Sequence, residues 1–274
     1  MNDNKTSKNS IVAKFAVPIS FLILFFLAAN FTDCDLVTFW KRRSHLTDLV
    51  VDMIPPDFSY IQKILLPLFY TIQMSVTGTV LGIFFALVLS PFGAANLGFP
   101  AVIRRILRIV IQILRSFPAL ILALTATFLF GLGTFAGTFA ITLYTFAIMT
   151  KLTYEDASAA DVKAYQALRA MGVSKYVAYI HGILPEIIPG FLTNALYLLE
   201  TNVRHSSILG YVGAGGIGLL LNEKISWLEY DKVGTILLML FLTVCVIEYF
   251  SRYLAALIRK ERTIKKERSE EHTS

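Results

Sequence analysis

Long apolar runs dominate this sequence and decide what can solvate the folded chain. Windows run from Phe15 to Phe31, Ile64 to Ser90, Ile103 or Leu114 to Phe130, Phe135 to Met149, onward from near Ile183, and from Val233 to Ile258. Most approach the roughly 20 apolar residues that a helix needs to cross a bilayer core. In lipid every backbone N–H and C=O must pair within the protein, and a helix does so within one segment. The runs therefore predict an all-α integral membrane protein with about six transmembrane helices. Composition agrees, with 55% hydrophobic and 16% charged residues and a mean hydropathy of +0.63. Such a chain is too apolar for a soluble surface.

Basic residues set the orientation, because cytoplasmic flanks are enriched in Lys and Arg. With the N-terminus inside, the cytoplasmic segments carry Lys5, Lys8, Lys14, Arg104, Arg105, Arg108, Lys151, Lys163, Arg169 and Lys175. The tail adds Arg259, Lys260, Arg262, Lys265, Lys266 and Arg268. The outside holds the smaller set Lys41, Arg42, Arg43, Lys63, Lys224 and Lys232, so both ends are expected inside. The formal charge of +6 sits at span ends rather than in one groove with stacking aromatics, which argues against a nucleic-acid partner. Cys34 near the first span and Cys245 deep in the last are poorly placed for a mutual disulfide. The N-terminal bases followed by an apolar stretch ending in Ala28 and Ala29 also fit a secretory signal, but the run exceeds a usual signal core, so a retained helix is favoured.

The expected organisation is a short N-terminus (1–10), a first helix (11–31), an extracytoplasmic loop (32–62), a core (63–258) and a basic tail (259–274). The loop mixes Asp33, Asp35, Asp48 and Asp52 with bases and apolar residues and ends at Pro55 and Pro56, a pattern for short interfacial helices. Pro91 to Pro100 forms an inner turn with Gly93, Asn96 and Gly98. A longer inner loop, 151–182, exceeds a simple connection. Within it Ala157 to Met171 lacks Pro and Gly, and Gly172 supplies a stop. Tyr165, Leu168 and Met171 share one stripe, with Asp161, Lys163, Gln166 and Arg169 around it. Two readings of this amphipathic helix are open: it lies in the headgroup layer, or it docks into a groove on a cytoplasmic partner.

The order Gln166-Ala167-Leu168, Gly172, Leu184-Pro185 resembles the signature of bacterial ABC-importer permeases: Glu-Ala-Ala, three residues, Gly, nine residues, Ile-x-Leu-Pro. Gln166 replaces the usual Glu, Leu168 the second Ala, and Gly182 the Ile. The chain is further similar to the phosphonate-type permeases at Arg115-Ser116-Phe117-Pro118, at Gly131-Leu132-Gly133 with Gly137, at Glu200-Thr201-Asn202-Val203-Arg204 and at Gly210 to Gly218. This resemblance implies type I importer architecture, with Tyr165 to Gly172 and Leu184-Pro185 as the segment that couples to an ATPase. It also implies a second permease copy or paralogue, two ATPase subunits that use ATP and Mg, and an extracytoplasmic binding protein. The implied cargo is phosphonate, phosphite or a related oxyanion, imported across the plasma membrane.

Gly213, Gly215 and Gly218 match the dinucleotide pattern letter for letter, but no strand–turn–helix unit surrounds them. Gly213 and Gly218 also stand at phosphate-loop spacing, yet Leu219 and Leu220 occupy the required Lys and Ser/Thr positions. ATP hydrolysis is therefore expected in another chain. Gly213, Gly215, Gly216 and Gly218 serve either small-residue helix packing or an irregular segment near an outer gate. Glu200 and Arg204 are four apart on the fifth helix and can pair along one face, with Asn202 pointing elsewhere. They form either a structural pair or, because charges at membrane depth tend to face a water-filled route, part of a translocation pathway. Arg115 is a second pathway candidate, with Pro118 equally consistent with a helix boundary. His45, His181, His205 and His272 show no metal-ligand spacing, and no nucleophile or paired-carboxylate motif stands out. A transport subunit without a cofactor of its own is expected, and an ion-coupled secondary transporter is the competing class.

Overall fold

The computed structural model describes residues 3–32 and 40–271, with side chains at 16, 18–32 and 40–258. Every regular element among the described residues is helical. By contact the chain divides after Ile54. The first unit holds α1 (Asp3–Phe31) and α2 (Arg43–Asp52). The segment Pro18–Phe31 of α1 is apolar and exposed, while α2 buries no residue. The Arg43 guanidinium lies 4.4 Å over the Trp40 ring. Cys34, Asp33, Asp35, His272 and the side chains of Lys5, Lys8, Lys14 and the basic tail lie outside the described residues.

The second unit opens at Asp57, whose carboxylate accepts from Ser59 N–H at 2.9 Å and Ser59 Oγ at 2.6 Å. A single 3-10 turn, Phe58–Tyr60, then leads into α3 (Ile61–Gly93). There follow α4 (Ala101–Ser116), α5 (Ala119–Phe130), α6 (Thr134–Ala159), α7 (Lys163–Ala170), α8 (Lys175–Gly182), α9 (Leu184–Leu209), α10 (Ile217–Ser226) and α11 (Tyr230–Glu271). By length and apolarity α3, α6 and the Tyr230–Ile258 part of α11 can each cross a membrane. Two bent pairs can each make one more: α4 with α5, bent by 94° at Phe117-Pro118, and α8 with α9, bent by 68°. The third apolar run of the sequence is thus two helices. Pro118 lacks an amide hydrogen and pushes Phe117 into an extended conformation.

Close backbone approach binds α3 to α6. Gly78 and Gly82 are four apart on α3, and a Cβ on either would stand 2.7 Å from Ile141 Cγ2 or Thr145 Cβ of α6. Small residues at this spacing let membrane helices touch, where dispersion replaces the hydrophobic drive. Asn202 of α9 is fully buried against the same pair and donates to Thr79 Oγ1 and Thr145 Oγ1, each at 2.8 Å. Ser75 and Ser206 extend this patch with a 2.7 Å hydroxyl contact.

These helices give the second unit two ends. At the near end the C-termini of α3 and α6 meet α7, α8 and the start of α9, around a core of Leu97, Ala157, Tyr165, Tyr179 and Ile183. At the far end Asp57 C=O accepts from Thr235 Oγ1 at 3.1 Å. There too Gly133 N–H donates to Gly213 C=O at 2.9 Å, and Ile217 N–H to Thr71 Oγ1 at 2.7 Å. Because α9 leaves the near end and α11 leaves the far end, the two helices run antiparallel.

Candidate functional site

The near-end segment is shorter than the sequence suggested. Lys151 to Ala159 continues α6, and the expected helix over Ala157 to Met171 breaks at Ala160 to Val162. Asp161 sits in the break, where its carboxylate accepts the Lys163 backbone N–H at 3.0 Å at the start of the new helix. That bond, with the neighbouring Lys163 ammonium, holds the Asp161 carboxyl below its usual range. Gly172 ends α7 as expected, at φ +84°. Gly172 N–H donates to Arg169 C=O and Val173 N–H to Leu168 C=O, the two bonds of a Schellman cap.

The apolar stripe on α7 splits between two roles. Tyr165 is buried and donates to Leu97 C=O at 2.7 Å, and burial raises its phenol above the ordinary value. Leu168 packs into the same core, whereas Met171 is 71% exposed. Tyr165 and Leu168 therefore anchor the helix to its own bundle. The edge left to solvent is Gln166, Ala167, Ala170, Met171 and Gly172, with Arg169 half-buried and bonded to Val173 C=O. Gly182 explains how α7 and α8 lie so close, since a Cβ there would meet Tyr165 N at 2.8 Å. Leu184 and Pro185 open α9, where the missing Pro N–H costs nothing.

The second feature is a cavity of about 610 Å³ between α9 and α11. Glu200 and Arg204 pair on its α9 wall. The α11 wall carries a second pair with the same spacing, Glu248 and Arg252. The apolar run Val233 to Ile258 hides this pair in the sequence, although its four-residue Glu–Arg spacing is the same signal as at Glu200 and Arg204. Asn202 does not line this cavity. Its bonds to residues near the middles of α3 and α6 put that level of α9, and so Arg204, near mid-depth of the bundle.

A family model described as the binding-protein-dependent transport system inner membrane component matches residues 78–261. The chain belongs to this family. As an inner membrane component, it is a multi-pass subunit of a transport system. A phosphite transport system permease protein of Stutzerimonas stutzeri is 31% identical over 220 residues, 80% of each chain. A phosphate-import permease protein of Mycolicibacterium smegmatis is 32% identical over 203 residues, 74% of this chain and 38% of that one. The inward-facing MetNI methionine ABC transporter contains a chain matched at TM-score 0.64 and 20% identity, over 74% of this chain and 99% of that one. This likeness establishes the fold as that of a type I ABC importer permease.

Within the permease the glycine run is a packed turn. Gly213, Gly215 and Gly216 adopt φ values of +82°, +79° and +70°, which L side chains rarely take. A Cβ on Gly218 would stand 1.9 Å from Ser207 C=O. Arg115 is exposed at the α4–α5 bend, within electrostatic reach of Tyr144 and outside the cavity. His205 meets Tyr144 edge-on at 5.4 Å. No group of metal-binding side chains occurs among the described residues, and Cys245 is a free, exposed thiol.

Proposed function

We propose that this permease forms half of the membrane pathway of an ABC importer for phosphite, phosphonate or a closely related phosphorus oxyanion. Its partners are a second permease copy or paralogue, two ATPase subunits that use ATP and Mg, and an extracytoplasmic binding protein. The near end faces the cytoplasm and both termini lie inside. Arg104, Arg105, Arg108, Lys151, Lys163, Arg169 and Lys175 belong to that end, against Lys63, Lys224 and Lys232 at the other.

One observation carries the mechanism: α7 is fastened to its own bundle by Tyr165 and Leu168, while the edge from Gln166 to Gly172 is left open. A fastened helix with an open edge is a handle. The ATPase grips that edge, and its movement passes through α8 and the 68° bend at Leu184-Pro185 into α9. Arg204 then presents positive potential to the anion, with Glu200 fixing its orientation and Arg115 as a further cation beside the route. The turn through Gly213, Gly215, Gly216 and Gly218 closes the outer end. The relatives named for phosphite and phosphate transport support the cargo class.

The test is uptake by the complex assembled with its ATPase and binding protein in proteoliposomes. ATP-dependent accumulation of labelled phosphite, phosphate or methylphosphonate is expected, and a cysteine at position 171 should crosslink to the ATPase. Uptake by the permease alone under an ion gradient, or crosslinking at 171 to lipid only, would overturn this reading.

A further inference from the structure

Two arginines on different helices face the same space. Arg204 and Arg252 line the cavity of about 610 Å³, each paired with the glutamate one turn before it. The exposures within each pair differ in a consistent sense. The Glu200 and Glu248 side chains are 12% and 30% exposed, whereas Arg204 and Arg252 are 50% and 78% exposed. The carboxylates are therefore packed towards protein, and the guanidinium groups are turned to the open side. The structure gives each guanidinium one side-chain acceptor, out of five N–H donors in its fork.

Two carboxylates and two guanidinium groups balance within the cavity lining, which limits the cost of holding ions at membrane depth. Its accessible face is nonetheless rich in donors, because it is the acceptors that are covered. A tetrahedral oxyanion fits that chemistry, since its oxygens accept from guanidinium forks in the bidentate geometry that makes such bonds strong. The side chains of Asn194 and Tyr197 on the same wall add neutral hydrogen-bonding groups. The order along the cavity also follows from the fold. Arg204 is the far-end limit of the α9 lining, and the antiparallel α11 lines the cavity from Glu248 to Ala255, so Arg252 stands closer to the near end.

We infer that Arg252, with Glu248, forms the second half of a transit site for a small oxyanion: Arg204 receives the anion at mid-depth and Arg252 takes it towards the near end. This inference rests on the importer reading above and adds a residue and a direction to it.

The experiment uses the reconstituted complex and labelled phosphite, phosphate and methylphosphonate. Arg252→Gln should lower uptake by about tenfold or more, the scale of one lost charge-assisted hydrogen bond. Arg252→Lys should fall between the two, keeping the charge without the fork. The exchange of Glu248→Arg with Arg252→Glu keeps an ion pair on α11 but moves the guanidinium one turn, and it should stay defective. Tyr249→Phe, outside the cavity lining, serves as the control with unchanged uptake. Assembly of each complex is checked by size-exclusion chromatography. Wild-type uptake by Arg252→Gln, or its return in the exchanged pair, would reduce Glu248–Arg252 to a structural ion pair and overturn the inference. A wild-type complex that moves none of the three anions would instead remove the importer reading, and the site with it.

Discussion

Asn202 shows how one buried polar residue can fix a helix. It is fully buried, and both amide hydrogens go to threonine hydroxyls on α3 and α6. The Thr79 hydroxyl also donates along its own helix, to Ser75 C=O at 2.6 Å. Losing the amide therefore leaves Thr79 with a partner and takes from buried Thr145 the bond it accepts, and hydrogen bonds between membrane helices average about 0.6 kcal/mol. Asn202→Ala should destabilise the bundle by about 1 kcal/mol, seen as a lowered melting temperature in detergent. The sequence placed Asn202 off the Glu200–Arg204 face, because a helix turns about 100° per residue. It could not say what lay on the other side, since Thr79 and Thr145 are remote in the chain. Glu248–Arg252 was legible by spacing and was lost inside an apolar run.

At the scale of elements, the short helices repay the closest reading. Gly172 announced the end of α7 because a left-handed C-cap needs a residue without a Cβ. The start of α7 is not legible, because Ala157 to Met171 has uninterrupted helix propensity and only the turn at Asp161, whose carboxylate accepts the Lys163 N–H, divides it. The departure at Gly182 has a spatial cause: the α8 backbone passes within reach of Tyr165. Restoring the family's residue should therefore do harm. Gly182→Ile forces α7 away from α8 at a cost of about 1–3 kcal/mol, the usual range for overpacking. The measurable result is a loss of binding-protein-stimulated ATP hydrolysis in an assembled complex. Normal stimulation in this variant would show that the position of α7 is not critical.

For the whole molecule, the apolar runs were enough to predict the helical membrane class, and charge was enough to predict an orientation. The bends were not legible in detail, because apolar windows carry little periodicity and the 94° turn at Phe117-Pro118 sits inside one. The orientation is testable on the intact protein. In a background with Cys34 and Cys245 replaced, a cysteine at Met171 should react with impermeant maleimide only from the cytoplasmic side. One at Trp227, 72% exposed at the far end, should react only from outside. The reverse pattern would invert the topology.

Backbone contact through Gly78 and Gly82 removes the slack that side chains would give, so α3 and α6 travel as a single rod. The polar attachments of α9 to that rod gather at Asn202 and Ser206 rather than along its length. A push on the Leu184 tip should then tilt α9 about this fulcrum and swing the Leu209 tip the opposite way, like the two arms of a seesaw.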